Sequence, residues 1–86
     1  MLTVSVFRGI HIRLYYHDHS PPHFRALYQG MEAKIAIDTL DIIEGRLPPQ
    51  ILKLIADWAG LHRPELHENW QRALRRAPLV PIPPLE

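Results

Sequence analysis

Apolar residues recur at every second position near the start of the chain: Val4 and Val6, then Ile10, Ile12, Leu14 and Tyr16, with Arg8-Gly9 between the two runs. A period of two is that of a strand with one buried face, and a glycine-containing pair between two such runs marks a tight turn. Strands are therefore predicted at about residues 3–7 and 10–16. Asp18-His19-Ser20-Pro21-Pro22 cannot continue the ladder, because each proline lacks an amide hydrogen and restricts the residue before it. A rigid loop follows. The alternation resumes from His23 through Phe24, Ala26 and Tyr28, breaks at Gln29-Gly30, and returns with Ala33, Ile35 and Ile37, which predicts a second hairpin. Residues 38–47 read as a turn plus a short edge strand ending at Gly45.

Beyond Pro48-Pro49 the period changes. Ile51, Leu54, Ile55, Trp58, Ala59 and Leu61 recur at helical spacing, with the prolines placed where a helix starts. Gly60 and Pro64 interrupt the stripe, and Leu66, Trp70, Ala73 and Leu74 resume it, so two helices or one kinked helix are expected. Residues 77–86 hold four prolines among apolar side chains and should be extended, packed on the body or on a partner. The predicted fold is α+β: an antiparallel meander of about four strands, then two helices packed on one face of it. Residues 1–76 form the single domain and 77–86 an extended Pro-rich tail.

Composition narrows the picture in three ways. A chain of 86 residues supports one core, and the absence of cysteine excludes a disulfide framework and thiolate chemistry. No apolar run reaches the ~18 residues of a membrane span, and the N-terminus lacks the basic-then-apolar order of a signal peptide, so a soluble cytoplasmic protein is expected. The net charge of +1 is spread evenly along the chain. Nucleic-acid binding would thus require the fold to gather scattered arginines onto one face.

Histidine is not spread evenly. His11, His17, His19 and His23 fall within thirteen residues, and residues 15–28 are expected to be the functional centre. Alternation puts His23 and Arg25 on one face, opposite Phe24 and Ala26, and puts Tyr15 and His17 on one face of the preceding strand. Two chemistries use such a set. One imidazole can accept a proton from a ribose 2′-hydroxyl while another protonates the leaving oxygen and Arg25 stabilises the phosphate, which is metal-independent RNA cleavage. Alternatively, two imidazoles and Asp18 can hold a divalent ion, although a tight loop rarely aims three adjacent ligands at one point. The plain reading stays open beside both: histidines that serve only the turn. The candidate catalytic residues are His19, His23 and Arg25, with Tyr15, His17, Asp18 and Tyr28 in binding roles; no metal and no cofactor is expected. Elsewhere, His62 reads as a partly buried core or helix-end histidine, His67 and Glu68 as a solvated face, and Trp58 and Trp70 as core. Arg72, Arg75 and Arg76 complement a helix dipole, and would contact phosphate only beside a flanking surface.

The order of these features resembles a known family. The Thr3-Val-Ser-Val-Phe-Arg-Gly-Ile-His-Ile12 strand pair, the Asp18-His-Ser-Pro-Pro-His-Phe24 motif and the Trp58-Ala59, Leu61-His62-Arg63, Leu66 and Asn69-Trp70 helical pattern resemble the bacterial family described as domain of unknown function 4160. The resemblance implies a small partner protein encoded alongside, as in a two-gene toxin–antitoxin system, and a toxin-like component acting on RNA by cleavage or binding. The alternative is a non-catalytic module, an antitoxin or transcriptional regulator, that works through its partner or operator DNA. Self-association remains open. The family pattern usually places a further histidine two residues after the Pro-Pro-His histidine, where this chain has Arg25. Arginine does not ligate cations but suits a phosphate, and the exchange shifts the expectation from metal toward phosphate.

Overall fold

The computed structural model describes residues 2–86. Five strands, β1 (Leu2–Phe7), β2 (Ile10–Leu14), β3 (His23–Tyr28), β4 (Met31–Ala36) and β5 (Ile42–Gly45), precede two helices, α1 (Pro49–Leu61) and α2 (Arg63–Leu74). The sheet is a single antiparallel meander in the order β1-β2-β3-β4-β5. It has one strand more than the expected four, because the short edge segment ending at Gly45 pairs with β4 as a full member.

Both hairpin turns use a two-residue connection with left-handed backbone at each position: Arg8 (φ 50°) with Gly9 (φ 77°), and Gln29 (φ 48°) with Gly30 (φ 80°). Two positive φ values in succession match the twist of the flanking strands, and glycine adopts the second without steric cost.

β1 departs from the simple alternation. The register with β2 shifts between Thr3 and Ser5, so that Val4 is an extra, bulged residue. A one-residue insertion exchanges the two faces of everything on one side of it. Ser5 and Phe7 consequently lie opposite Ile12 and Ile10 on the core face, whereas Val6, expected inside, is 49% exposed. The Ser5 hydroxyl is buried without a hydrogen-bond partner.

The helices cover the face carrying Ile12, Phe24, Ala26 and Ile35, with the indole of Trp58 at 5.3 Å from the ring of Phe7 and 6.1 Å from that of Phe24. Pro49 and Pro64 each occupy the first turn of a helix, and the break between the helices falls at His62, whose ring stacks on Trp58 at 5.5 Å. Trp58 and Trp70 are both core residues.

Residues 77–86 carry no helix or strand and lie along this body. Asn69, buried in α2, donates from Nδ2 to the Val80 carbonyl and accepts the Val80 amide at Oδ1, both at 2.8 Å. Trp58 Nε1 donates to the Pro83 carbonyl at 2.8 Å, and the Ile82 amide donates to the carbonyl of bulged Val4 at 2.8 Å. Ile82 itself joins the core.

Candidate functional site

The segment from Tyr15 to Pro22 links β2 to β3 and is pinned at its far end by the Ile37 amide, which donates to the Pro22 carbonyl at 3.1 Å. Ser20–Pro21 is a cis peptide bond. The strand alternation stops earlier than the sequence predicts: β2 ends at Leu14, and His17 takes a left-handed conformation (φ 56°). Tyr15 and His17 therefore do not share a face. Tyr15 stacks with the guanidinium of Arg25, and His17 accepts a hydrogen bond at Nε2 from Nε of Arg76, just past the end of α2.

Asp18 is the centre of the loop. Its Oδ2 accepts from Nε2 of His23 at 2.9 Å and from Nη2 and Nε of Arg25 at 3.0 and 3.3 Å, while Oδ1 accepts the His19 amide at 3.0 Å. Burial alone would raise the pKa of this carboxyl. The bonds from Arg25, the His19 amide and His23, together with the charge of His23, outweigh burial and hold it below its ordinary value. Arg25 is shifted the opposite way: burial opposes its charge, but Asp18 first and Glu32 second hold its proton more firmly than usual. The Arg25 guanidinium also lies over the ring of Tyr15, 4.3 Å from its centroid, and reaches Glu32 at 3.4 Å.

His23 is 2% exposed, and its ring packs 5.1 Å from Trp70. Nδ1 lies 2.8 Å from the Pro21 carbonyl, which can only accept, so Nδ1 carries a hydrogen. Nε2 faces an ionised carboxylate oxygen. Both ring nitrogens are thus engaged by oxygen atoms of the loop, Nδ1 by the Pro21 carbonyl and Nε2 by the Asp18 carboxylate. In this arrangement neither nitrogen can take a proton from a substrate or bind a metal ion.

The seven candidate residues separate on this geometry. Asp18, His23, Arg25 and Tyr15 come together. His19 contributes its amide to Asp18 and exposes its side chain. His17 points to Arg76. Tyr28 lies at the other end of β3, about 17 Å from His23 at strand rise, with its ring 3.7 Å from where a Cβ on Gly9 would stand. Among the described residues, no three His, Cys, Asp or Glu side chains are grouped so as to hold a metal ion.

Sequence reasoning passed over the strand neighbours of Arg25. Arg13 of β2 and Lys34 of β4 are its direct cross-strand partners, giving a row of three cations on the face of the sheet that no helix covers. The signal was present: with a two-residue turn at Gln29-Gly30, counting outward from Tyr28 and Met31 places Lys34 opposite Arg25. A depression of about 200 Å³ lined by Arg25, Glu32, Lys34, Glu44 and Gly45 lies on the same face.

The family profile described as Domain of unknown function (DUF4160) matches residues 9–71, close to three quarters of the chain. The chain belongs to this family. The match takes in the Asp18–His23–Arg25 cluster, α1 and all but the last turn of α2, and leaves out β1 and the tail. No curated protein and no solved structure matches the chain.

Among the described residues, no helix is long and apolar enough to cross a membrane.

Proposed function

We propose that this protein is the non-catalytic, RNA-binding member of a bacterial two-gene toxin–antitoxin pair, a cytoplasmic protein that holds single-stranded RNA against the uncovered face of its sheet and works with a small partner protein. The observation that carries this reading is the row Arg13–Arg25–Lys34. Arg25 is paired with Asp18 and Glu32, and Lys34 stands opposite Glu44, so a phosphate laid across the row would add to these pairings on a face where three cations stand side by side. Arg25 is fixed in that row by Asp18, and its stack on Tyr15 presents an aromatic ring at the edge of the same surface, as base-stacking sites do. The engagement of both His23 ring nitrogens, by Pro21 and Asp18, supports binding over cleavage, because neither nitrogen of this 2% exposed ring faces a substrate as a general base would.

Fluorescence anisotropy with a labelled single-stranded RNA, titrated over a range of salt, tests the reading. Three phosphate contacts predict a slope of about −2 in log affinity against log salt, and Lys34→Ala or Arg13→Ala should each reduce it by about 0.7. An unchanged slope in both variants refutes the sheet face as the binding surface. Shortening of the RNA during incubation refutes the non-catalytic assignment, and tighter binding to duplex DNA from upstream of the gene pair favours the regulator instead.

A further inference from the structure

We infer that the uncovered face of the sheet reads the bases of the RNA it holds and prefers cytosine to uracil, with Glu32 as the group that discriminates; the inference rests on the RNA-binding reading above. A second row of side chains runs beside the cations. Val6 stands opposite His11, His11 opposite Leu27, and Leu27 opposite Glu32, one residue from each of β1 to β4. His11, Leu27 and Glu32 are each two positions from Arg13, Arg25 and Lys34, so both rows lie on one face, about 7 Å apart along the strands. The second row differs in kind from the first. Val6 is exposed, and His11 and Leu27 are half-buried, which makes a platform of two apolar side chains and one imidazole that ends at the exposed carboxylate of Glu32.

A base hangs to one side of its own phosphate. RNA whose phosphates follow Arg13, Arg25 and Lys34 therefore lays bases on this platform, where His11 and Leu27 meet the face of the ring. The ring edge then points at Glu32 and into the depression of about 200 Å³ that Glu32 lines with Arg25, Lys34, Glu44 and Gly45. A carboxylate repels phosphate, and Arg25 does not depend on Glu32 for its position. Asp18 holds the guanidinium with bonds of 3.0 and 3.3 Å, whereas Glu32 reaches it at 3.4 Å. That contact engages Oε2, and a carboxylate can accept about four hydrogen bonds. Because it only accepts, it pairs with the 4-amino group of cytosine and opposes the O4 carbonyl of uracil in the same place. The two bases are alike in shape, so stacking on His11 and Leu27 treats them equally and the choice falls to Glu32.

Fluorescence anisotropy with labelled octamers of cytidine and of uridine, at neutral pH and one salt concentration, tests this. The wild type should bind oligocytidine about tenfold tighter than oligouridine. In Glu32→Gln the amide can accept from cytosine or donate to uracil, so the ratio should fall to about one. Glu32 is 43% exposed, and its replacement leaves the fold in place. Glu44, opposite Lys34, belongs to the phosphate row, and Glu44→Gln should strengthen binding of both octamers while keeping the ratio. Equal affinities for the two octamers in the wild type, with salt-dependent binding intact, overturn the base preference and leave the RNA-binding reading standing. A tenfold ratio that survives in Glu32→Gln overturns the role of Glu32, as does a ratio that falls equally in Glu44→Gln. No binding of either octamer overturns the RNA-binding reading, and the preference with it.

Discussion

Replacing Asp18 with alanine removes the acceptor of four hydrogen bonds at once, and the structure indicates what that costs. The carboxylate is 9% exposed, and its two charged partners differ: His23 is 2% exposed and Arg25 is 23% exposed. Deleting one member of a buried charge pair costs about 3–5 kcal/mol, because the remaining charge is left without its partner. Arg25 retains some water and Glu32 as partial compensation, whereas the Nε2–H of His23 has neither, so the lower end, about 3 kcal/mol, is expected. For a chain of this size that corresponds to a fall in melting temperature of about 12–24 °C, followed by circular dichroism, with urea unfolding giving the free energy directly. Glu32→Ala is the control. Glu32 is 43% exposed and 3.4 Å from Arg25, so its loss should cost under about 0.5 kcal/mol. Acid adds a second readout. The carboxyl of Asp18 titrates lower in the folded chain than its ordinary value of 3.8, so its contribution is complete above that pH and disappears as pH falls through the folded value. Stability curves of wild type and Asp18→Ala should therefore converge below about pH 4. A loss below about 1 kcal/mol at neutral pH, or two curves that stay parallel into acid, would show that the cluster is an ordinary surface ion pair.

Two further substitutions test the frame around the site. A Cβ at Gly45 would stand 2.1 Å from the Glu32 carbonyl oxygen at a φ of +83°, so Gly45→Ala should cost more than about 2 kcal/mol and abolish amide protection along β5; unchanged protection would contradict the β4–β5 pairing. Ser5→Ala removes the buried hydroxyl that has no partner and should leave stability unchanged or raise it by about 1 kcal/mol in urea unfolding, and a loss of that size would reveal a bond the hydroxyl makes.

Much of the sheet was legible because its signals are local. The pairs Arg8-Gly9 and Gln29-Gly30 encode their turns in two residues each, and the alternation around Ile10–Leu14 and Ala33–Ile37 needs no distant contact to be read. The bulge at Val4 was not legible, because Val4-Ser-Val6 presents the same alternation with or without it. What selects the bulged register is remote: Val4 offers its carbonyl to Ile82, seventy-eight positions later. The site was half legible for the same reason. His23 and Arg25 were expected to converge, and they do, but on Asp18. Whether both nitrogens of an imidazole are engaged depends on where a loop carbonyl and a carboxylate lie in space, and spacing does not encode that. His17 joins Arg76 across fifty-nine residues, a pairing no window along the chain contains.

The docking of Ile82 on Val4 also bears on how the protein avoids sticking to itself. A meander leaves two open borders, and a bare border is a template on which further strands can grow into fibrils. On one side the bulged carbonyl of Val4 is occupied by the Ile82 amide. On the other, β5 is only four residues long, pairs irregularly with β4 and carries Glu44. The first border is guarded only while the Pro-rich segment stays in place, so loosening that segment would do more than uncover a groove. It would expose the strand most prone to templated growth, and thioflavin fluorescence on storage should rise first in variants that release it, ahead of any loss of helix.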